Sequence, residues 1–220
     1  MDNNTVITKF KIEAMASRHL DEMVKIHIAA FPDFFLSFLG TRFLKTFYMS
    51  FVNADNGIAL VALDQNGHVI GGVAGPITPA NYFKKLLIKR WWVFCYSSVN
   101  AVIKKPAIAI RLFQAVFYRG EVSSSQRNLA LLSSIAVAPE TQGMGIGRAL
   151  ILKWLDHAKT ANVEGAFLTT DAIDNNTVNA FYVNLGWRLE SQYTTRQGRK
   201  MNRYVFNFKQ GKDNDFKTLF

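Results

Sequence analysis

Cysteine is almost missing from this chain of 220 residues, which contains only Cys95. A single thiol excludes an internal disulfide framework and a zinc site made of several cysteines, and it is typical of a reducing compartment. The four histidines, His19, His27, His68 and His157, are scattered along the chain without the spacing of metal ligands. We therefore predict a protein without a metal site.

Long apolar runs are also missing. The longest uncharged apolar stretch, residues 91–103, contains two serines and an asparagine. It is shorter than the about 20 residues that a membrane-spanning helix needs. The first 15 residues lack the apolar core of a signal peptide. These absences predict a cytoplasmic protein, and they leave peripheral contact with the inner membrane surface open.

Acidic residues are absent from residues 76–120, which contain eight lysines and arginines and nine aromatic residues. The whole chain has a net charge of +10, so most of the excess positive charge lies there. We predict two or three helices with a break at Pro106, inserted into the domain over residues 76–128. Three roles stay open: a cap over a substrate cleft, membrane contact through residues 82–119, or recognition of an anionic acceptor. Nucleic acid is not expected as a partner, because no helix-turn-helix, zinc or RNA-binding signature accompanies the charge.

Apolar residues make up 49% of the chain and charged residues 19%, which is enough apolar material for a real core. The length fits a single domain over residues 1–220. The predicted elements are a strand at 5–12, helices at 17–30 and 33–51, strands at 58–63 and 68–74, the insertion, one buried strand at 129–137, a helix around 149–158, a strand at 165–172, a helix at 176–185, and strands at 189–195 and 203–208. This order indicates a mixed α/β sheet flanked by helices.

The segment PETQGMGIGR, residues 139–148, joins a strand to a helix and contains three glycines. Glycines let the backbone turn tightly and approach a ligand, and the free N–H groups and dipole of the following helix favour an anion. The segment is not a P-loop, because Gly147 is followed by Arg148 and Ala149. The dinucleotide pattern G-x-G-x-x-G also fails, because Arg148 and Leu150 stand where a third glycine is needed. The pattern predicts a phosphate or pyrophosphate site.

Two motifs together resemble the GNAT superfamily of acetyl-CoA-dependent N-acetyltransferases. IAVAPETQGMGIGRALI resembles the strand, V-x-P-like exit, Q/R-x-x-G-x-G/A loop and helix of that family. Downstream, NNTVNAFYVNLGW resembles N-x-x-A-x-x-F/L-Y-x-x-x-G-F, with Asn175, Tyr182 and Gly186 in register and with Val178 and Trp187 in place of Ala and Phe. The resemblance implies an α/β fold of the α+β kind, with a mixed, mostly antiparallel central sheet flanked by helices and interrupted by the helical insertion.

The resemblance also implies roles for individual residues. Tyr182 would be the general acid that protonates the leaving thiolate, and Asn175 would hold the pantetheine arm of coenzyme A. The arm would pair with the strand, where the Val137 N–H would polarise the thioester carbonyl. The residues implied in binding acetyl-CoA are Ile135, Ala136, Val137, Gln142, Gly143, Met144, Gly145, Ile146, Gly147, Arg148 and Asn175.

The general base stays open between Asp171, Glu121 and a water molecule held by Ser133 or Ser134. Asp171 fits a contact to substrate, or a turn cap, equally well. The resulting hypothesis is direct transfer of an acetyl group from acetyl-CoA to the primary amine of a small or anionic acceptor, such as an amino sugar that is nucleotide- or lipid-linked. A chain with net charge +10 would repel lysine-rich protein tails. The alternative is a non-catalytic acyl-CoA-binding protein or membrane-associated adaptor, and a homodimer fits either hypothesis.

Overall fold

The computed structural model describes residues 10–32, 35–52, 54–80, 82, 128–195 and 198–208, and the statements below refer to these ranges. Some predictions concern residues outside them. These are most of the strand at 5–12, the insertion between residues 83 and 127 with its basic and aromatic side chains, and Glu121 as a base.

The described helices and strands follow the predicted order, with two exceptions at residues 33–51 and 129–137. Before the insertion they are β1 (Lys11–Ala14), a 3-10 turn (Ser17–His19), α1 (Leu20–Ala30), α2 (Phe35–Phe38), α3 (Thr41–Met49), β2 (Gly57–Leu63) and β3 (Val69–Pro76). After it come β4 (Leu129–Leu131), β5 (Ser134–Val137), a 3-10 turn (Pro139–Thr141), α4 (Ile146–Thr160), β6 (Gly165–Asp171), α5 (Asn176–Asn184), β7 (Arg188–Thr194) and β8 (Lys200–Asn207).

The described strands form two four-stranded sheets. The first has the order β1-β2-β3-β5 and is antiparallel throughout. The second has the order β4-β6-β8-β7, in which β4 and β6 are parallel and the other pairs are antiparallel. The predicted mixed, mostly antiparallel α/β architecture is confirmed.

The prediction of one continuous strand over residues 129–137 is wrong, because the chain changes sheets after Leu131. The Leu132 N–H donates to the Phe167 carbonyl of the second sheet, and the Ser133 N–H donates to the Ala74 carbonyl of the first, both at 3.0 Å. Successive peptide groups of an extended chain point to opposite sides, so each sheet holds one of them. Beyond this vertex, β5 pairs with β3 and the second half of β6 pairs with β8, and no ladder joins β5 to β6 in the described residues. We call the space between these two unpaired edges the gap.

The prediction of a single helix over residues 33–51 is also wrong. Gly40 has a φ of 86° and separates α2 from α3. A left-handed φ cannot continue a right-handed helix, and glycine adopts it without a steric penalty.

Two apolar layers enclose the sheets. Helices α1 and α3 cover one face, where Met23, Leu44 and Phe51 are fully buried. Helix α4 covers the other face, with Trp154 completely buried at its centre. None of the helices in the described ranges is long and apolar enough to cross a bilayer.

Candidate active site

The β5 edge of the gap has peptide groups that point away from β3. The Ala138 N–H donates to the Ile70 carbonyl at 2.9 Å, which fixes the alternation of the ladder. In an antiparallel pair only every second residue bonds to its partner strand, so the peptide groups of Ile135 and Val137 face the gap. They are the groups that the sequence predicts to pair with an extended ligand.

The β6 edge is organised by two asparagines. The Ala172 N–H donates to the Lys200 carbonyl at 2.9 Å, so the Asp171 carbonyl lies on the gap side of β6. That carbonyl accepts hydrogen bonds from Asn175 Nδ2 at 3.1 Å and Asn179 Nδ2 at 3.0 Å. Asn175 Nδ2 also donates to Thr170 Oγ1 at 2.8 Å. The Asn175 amide nitrogen therefore serves the protein itself, and its Oδ1 is the atom suited to accept a hydrogen bond from a ligand.

The turn after β5 ends at the N terminus of α4. Gly143 and Gly145 have φ values of 83° and 78°, and a Cβ built at either would meet nothing within 4 Å. A Cβ at Gly147 would instead point into the protein, 3.6 Å from atoms of Phe181 and Val137. The first intrahelical N–H donor is that of Ala149, so the N–H groups of residues 146–148 have no partner within the helix. This geometry fits an anion, because open backbone donors and a helix dipole converge there.

Tyr182 lies on α5 within the apolar layer of α4 and is 6% exposed. Its ring contacts Trp187 and Tyr204, and Ile135 and Val137 pack against the same cluster. Burial raises the pKa of Tyr182 above its ordinary value near 10. The phenol is therefore protonated at neutral pH and is a weak acid. The raised pKa makes transfer of this proton to an alkyl thiolate less favourable than from a free phenol, so the hydroxyl would first stabilise the leaving sulfur as a hydrogen-bond donor.

Asp171 is paired with Arg199. Arg199 Nε and Nη2 donate to the two carboxylate oxygens at 3.1 and 2.6 Å, and both side chains are partly exposed. This bidentate contact occupies the carboxylate, so a role as general base would require Arg199 to move away. Among the other base candidates, the Ser133 hydroxyl is buried without a hydrogen-bond partner, and the Ser134 hydroxyl is bonded to Tyr48.

Three polar side chains that no sequence pattern predicts form a hydrogen-bonded chain across α1, α3 and β5. His27 Nδ1 lies 2.8 Å from the Tyr48 hydroxyl, which lies 3.0 Å from the Ser134 hydroxyl. His27 and Tyr48 are fully buried, and burial lowers the pKa of His27 to about 4. The three residues are separated by 21 and 86 positions, so no sequence motif connects them.

Metal ligands do not converge in the described part of the chain, where no three His, Cys, Asp or Glu side chains form a group that could hold a metal ion.

Comparisons with known proteins give the family and the fold. The profile of the acetyltransferase (GNAT) family matches residues 20–187. The ribosomal-protein-S18-alanine N-acetyltransferase of Escherichia coli is 17% identical with a TM-score of 0.53, and the match covers 94% of this chain and 98% of that one. Ard1 from Thermoplasma volcanium is 12% identical with a TM-score of 0.57, covering 90% and 97%. The spermidine/spermine N-acetyltransferase of Vibrio cholerae is 15% identical with a TM-score of 0.54, covering 92% and 96%. No curated protein matches the sequence.

At these identities the structural neighbours establish the fold alone, and the family profile carries the assignment. It spans more than half of the chain and includes both motifs quoted above. The predicted class of enzyme, an acyltransferase that uses acetyl-CoA as co-substrate, is confirmed at the level of the family. The roles of individual site residues stay predictions. By its profile and its fold, this chain belongs to the acetyltransferase (GNAT) family.

Proposed function

We propose that this protein transfers an acetyl group from acetyl-CoA directly to the primary amine of a small, anionic acceptor. The observation that carries the proposal is the gap between β5 and β6, where the gap-facing peptide groups of β5 lead into an open glycine turn at a helix N terminus. An extended thiol arm and a diphosphate require these two features side by side.

The part of the site that would bind acetyl-CoA supplies backbone N–H groups as hydrogen-bond donors. The N–H groups between Gln142 and Arg148 would bind the diphosphate, and the Arg148 side chain adds a permanent positive charge. The gap-facing N–H of Val137 would stabilise the negative charge that develops on the carbonyl oxygen. The thioester supplies the activated acetyl group.

The acceptor side lies on the opposite face of the sheets. Along β5, Ala136 packs in the layer of α1 and α3, while Ile135 and Val137 pack in the layer of α4. Because side chains alternate along a strand, Ser134 faces the same layer as Ala136. An amine approaching on the Ser134 face would attack from the side opposite Tyr182. The new C–N bond would form as the C–S bond breaks, and Tyr182 would give its proton to sulfur. The surplus amine proton would pass to water, from which the Tyr182 phenolate would regain a proton.

Net charge supports an anionic acceptor. The chain has a net charge of +10, which favours anions over the polycation on which the Vibrio cholerae enzyme acts. Arg203 does not add to this, because its guanidinium is buried over the Phe167 ring and is paired with the Glu190 carboxylate, 2.6 Å from Nε. A phosphorylated or nucleotide-linked amino sugar combines an amine with the negative charge that the basic chain favours.

Thiol release from acetyl-CoA tests the proposal. The amines to compare are glucosamine, glucosamine 6-phosphate, a UDP-linked amino sugar, spermidine and a peptide with an N-terminal alanine. We expect amine-dependent release that is fastest with a phosphorylated sugar and falls about 100-fold in Tyr182→Phe. Thr160→Val is the control, because the Thr160 hydroxyl donates to the His157 carbonyl at 2.8 Å at the C-terminal end of α4, outside the site. Release that needs no amine, or that is equal in both variants, would contradict the proposal.

The alternative is a protein that binds acyl-CoA without turnover, as a binding protein or membrane-associated adaptor. The pairing of Asp171 with Arg199 favours it, because this pairing occupies a carboxylate that could otherwise accept the amine proton. Saturable binding of acetyl-CoA without thiol release for any of the five amines would support this alternative.

A further inference from the structure

The chain His27–Tyr48–Ser134 connects the interior of the molecule to the gap. It joins three elements: His27 lies on α1, Tyr48 on α3 and Ser134 on β5. The exposed fractions of the first two residues are 1% and 0%, whereas Ser134 is partly exposed on the strand that borders the gap. The hydrogen-bonded chain therefore begins at His27 in the apolar layer and ends at Ser134 on the acceptor face.

The bonds in this chain have two self-consistent directions. A neutral imidazole has one N–H and one lone pair, so its tautomer decides whether Nδ1 donates to or accepts from Tyr48. With the proton on Nδ1, Tyr48 donates to Ser134, and Ser134 must use its own proton outward. With the proton on Nε2, Tyr48 donates to His27 and accepts from Ser134, and both lone pairs of the Ser134 oxygen stay available as acceptors. His27 Nε2 has no hydrogen-bond partner, so the bond between Nδ1 and Tyr48 alone decides which of the two tautomers forms.

An attacking amine selects between the two directions. The lone pair of the amine nitrogen must point at the carbonyl carbon. The N–H groups of the amine therefore have to donate hydrogen bonds to acceptors on the protein. In both directions the Ser134 oxygen keeps an acceptor lone pair, but only the direction with the proton on Nε2 commits the Ser134 proton to Tyr48 and leaves Ser134 purely an acceptor. In the other direction the outward Ser134 O–H can bond to the amine lone pair and compete with the attack. The chain also restricts the Ser134 hydroxyl, which would otherwise rotate freely between donor and acceptor orientations.

We propose that His27 and Tyr48 are positioning residues that hold the Ser134 hydroxyl as the hydrogen-bond acceptor for the incoming amine. This inference rests on the proposed function. It assigns Ser134 to the acceptor subsite and gives the buried His27 and Tyr48 a role in orienting substrate.

The hydrogen-bonded chain of His27, Tyr48 and Ser134 orients the amine and does not accept its proton. Burial lowers the pKa of His27 to about 4 and raises that of Tyr48, so at neutral pH both residues stay uncharged. A buried imidazolium would also have no partner at Nε2. The amine proton therefore leaves to water, while the neutral chain keeps one fixed direction.

Steady-state kinetics of Tyr48→Phe, Ser134→Ala and the double variant test the role. The assay uses acetyl-CoA and the fastest amine of the panel. We expect each single variant to lower kcat about tenfold, the factor expected from one productive hydrogen bond. The double variant should be within about twofold of the single variants, because both remove the same contact. The KM for acetyl-CoA and its calorimetric affinity should not change.

The control is again Thr160→Val, which removes a hydroxyl bonded to the His157 carbonyl at the C-terminal end of α4 and should leave kcat unchanged. A kcat within twofold of wild type for Tyr48→Phe would overturn the inference, as would single-variant losses that multiply in the double variant. If wild-type protein does not bind acetyl-CoA at all, the proposed function fails. If the wild-type protein is active and Tyr48→Phe turns over at the same rate, only this inference fails.

The tautomer of His27 gives a test that needs no amine. Nitrogen-15 NMR of the side chain, with and without acetyl-CoA, distinguishes a proton on Nε2 from one on Nδ1. We expect the Nε2–H tautomer at pH 7, and a change in the Nδ1 shift in Ser134→Ala, which reaches His27 only through Tyr48. A proton on Nδ1, or a shift that ignores the loss of Ser134, would overturn the inference.

Discussion

At the scale of single residues, His27 is an imidazole enclosed by aromatic rings. Its ring centroid lies 5.2 Å from that of Phe31 and 5.8 Å from that of Tyr48. Such surroundings stabilise the neutral form, because a buried charge without a partner loses its hydration. The free energy of unfolding should therefore depend on pH, and His27 should make the largest contribution to this dependence.

The sign of this dependence follows from the lowered pKa of His27. Below its ordinary pKa of 6.5 the unfolded chain binds a proton that the folded protein does not bind until about pH 4. Unfolding free energy should thus fall by about 2 kcal/mol from this residue between pH 7 and pH 5. His27→Asn keeps a polar atom near the position of Nδ1 and should flatten the profile in urea unfolding.

The matched control is His157→Gln, which changes an exposed histidine on α4 and should keep the wild-type profile. Burial also lowers the pKa of His19, so a smaller dependence of the same sign should remain in His27→Asn. A variant as sensitive to acid as the wild type would show that His27 is not the titrating group.

Individual residues also show how much of the site could be predicted from the sequence. Gln142, Gly145 and Gly147 lie in one contiguous motif, so local turn chemistry is enough to find them. His27, Tyr48 and Ser134 come together only through the packing of two helices on a strand, and each looks like an ordinary core or strand residue by itself. Contacts between residues far apart in the sequence cannot be predicted from a local sequence pattern.

At the scale of elements, the turn between β5 and α4 depends on backbone conformation. Gly145 has a φ of 78°, which costs an L-residue about 1–2 kcal/mol, whereas Gly147 is helical and its Cβ position has ordinary contact distances. We expect Gly145→Ala to weaken acetyl-CoA binding about tenfold and Gly147→Ala to leave it unchanged. Calorimetric titration of both variants measures this, and equal affinities would contradict the anion-binding role of the turn.

The vertex of the gap depends on another glycine. A Cβ at Gly75 would lie 1.9 Å from the Leu131 carbonyl oxygen and 2.9 Å from the Ser133 nitrogen. Gly75→Ala must displace the backbone where the chain changes sheets, and we expect a loss of about 2–4 kcal/mol in unfolding free energy. Gly147→Ala is again the control, and urea unfolding measures both. A fully stable Gly75→Ala would mean that the two sheets do not meet as closely as described.

The elements themselves were predicted well where periodicity and turn residues define them, as in the β2–β3 hairpin around Asn66 and Gly67. The continuous apolar run at 129–137 did not reveal its change of sheet, because both halves are extended and largely apolar. Gly40 could have signalled the break between α2 and α3, but the aromatic run around it obscured that signal.

At the scale of the whole molecule, the family profile spans residues 20–187, while the basic segment lies largely outside the described residues. Its role in membrane contact stays a prediction. Co-sedimentation with anionic vesicles should be lost when Lys84, Lys85, Lys89 and Arg90 are changed to Glu. Changing Lys153, Lys159, Arg188 and Lys200 to Glu is the charge-matched control and should preserve pelleting. Equal pelleting of both variants would reject the segment as the membrane contact.

The central claim is that the turn at residues 142–148 binds the diphosphate of coenzyme A. Titration calorimetry with acetyl-CoA and with pantetheine, which has the thiol arm but no diphosphate, tests it most directly. We predict one saturable site for acetyl-CoA and affinity at least about 100-fold weaker for pantetheine, a difference of about 2.7 kcal/mol. The absence of acetyl-CoA binding, or equal affinity for both compounds, would contradict the account.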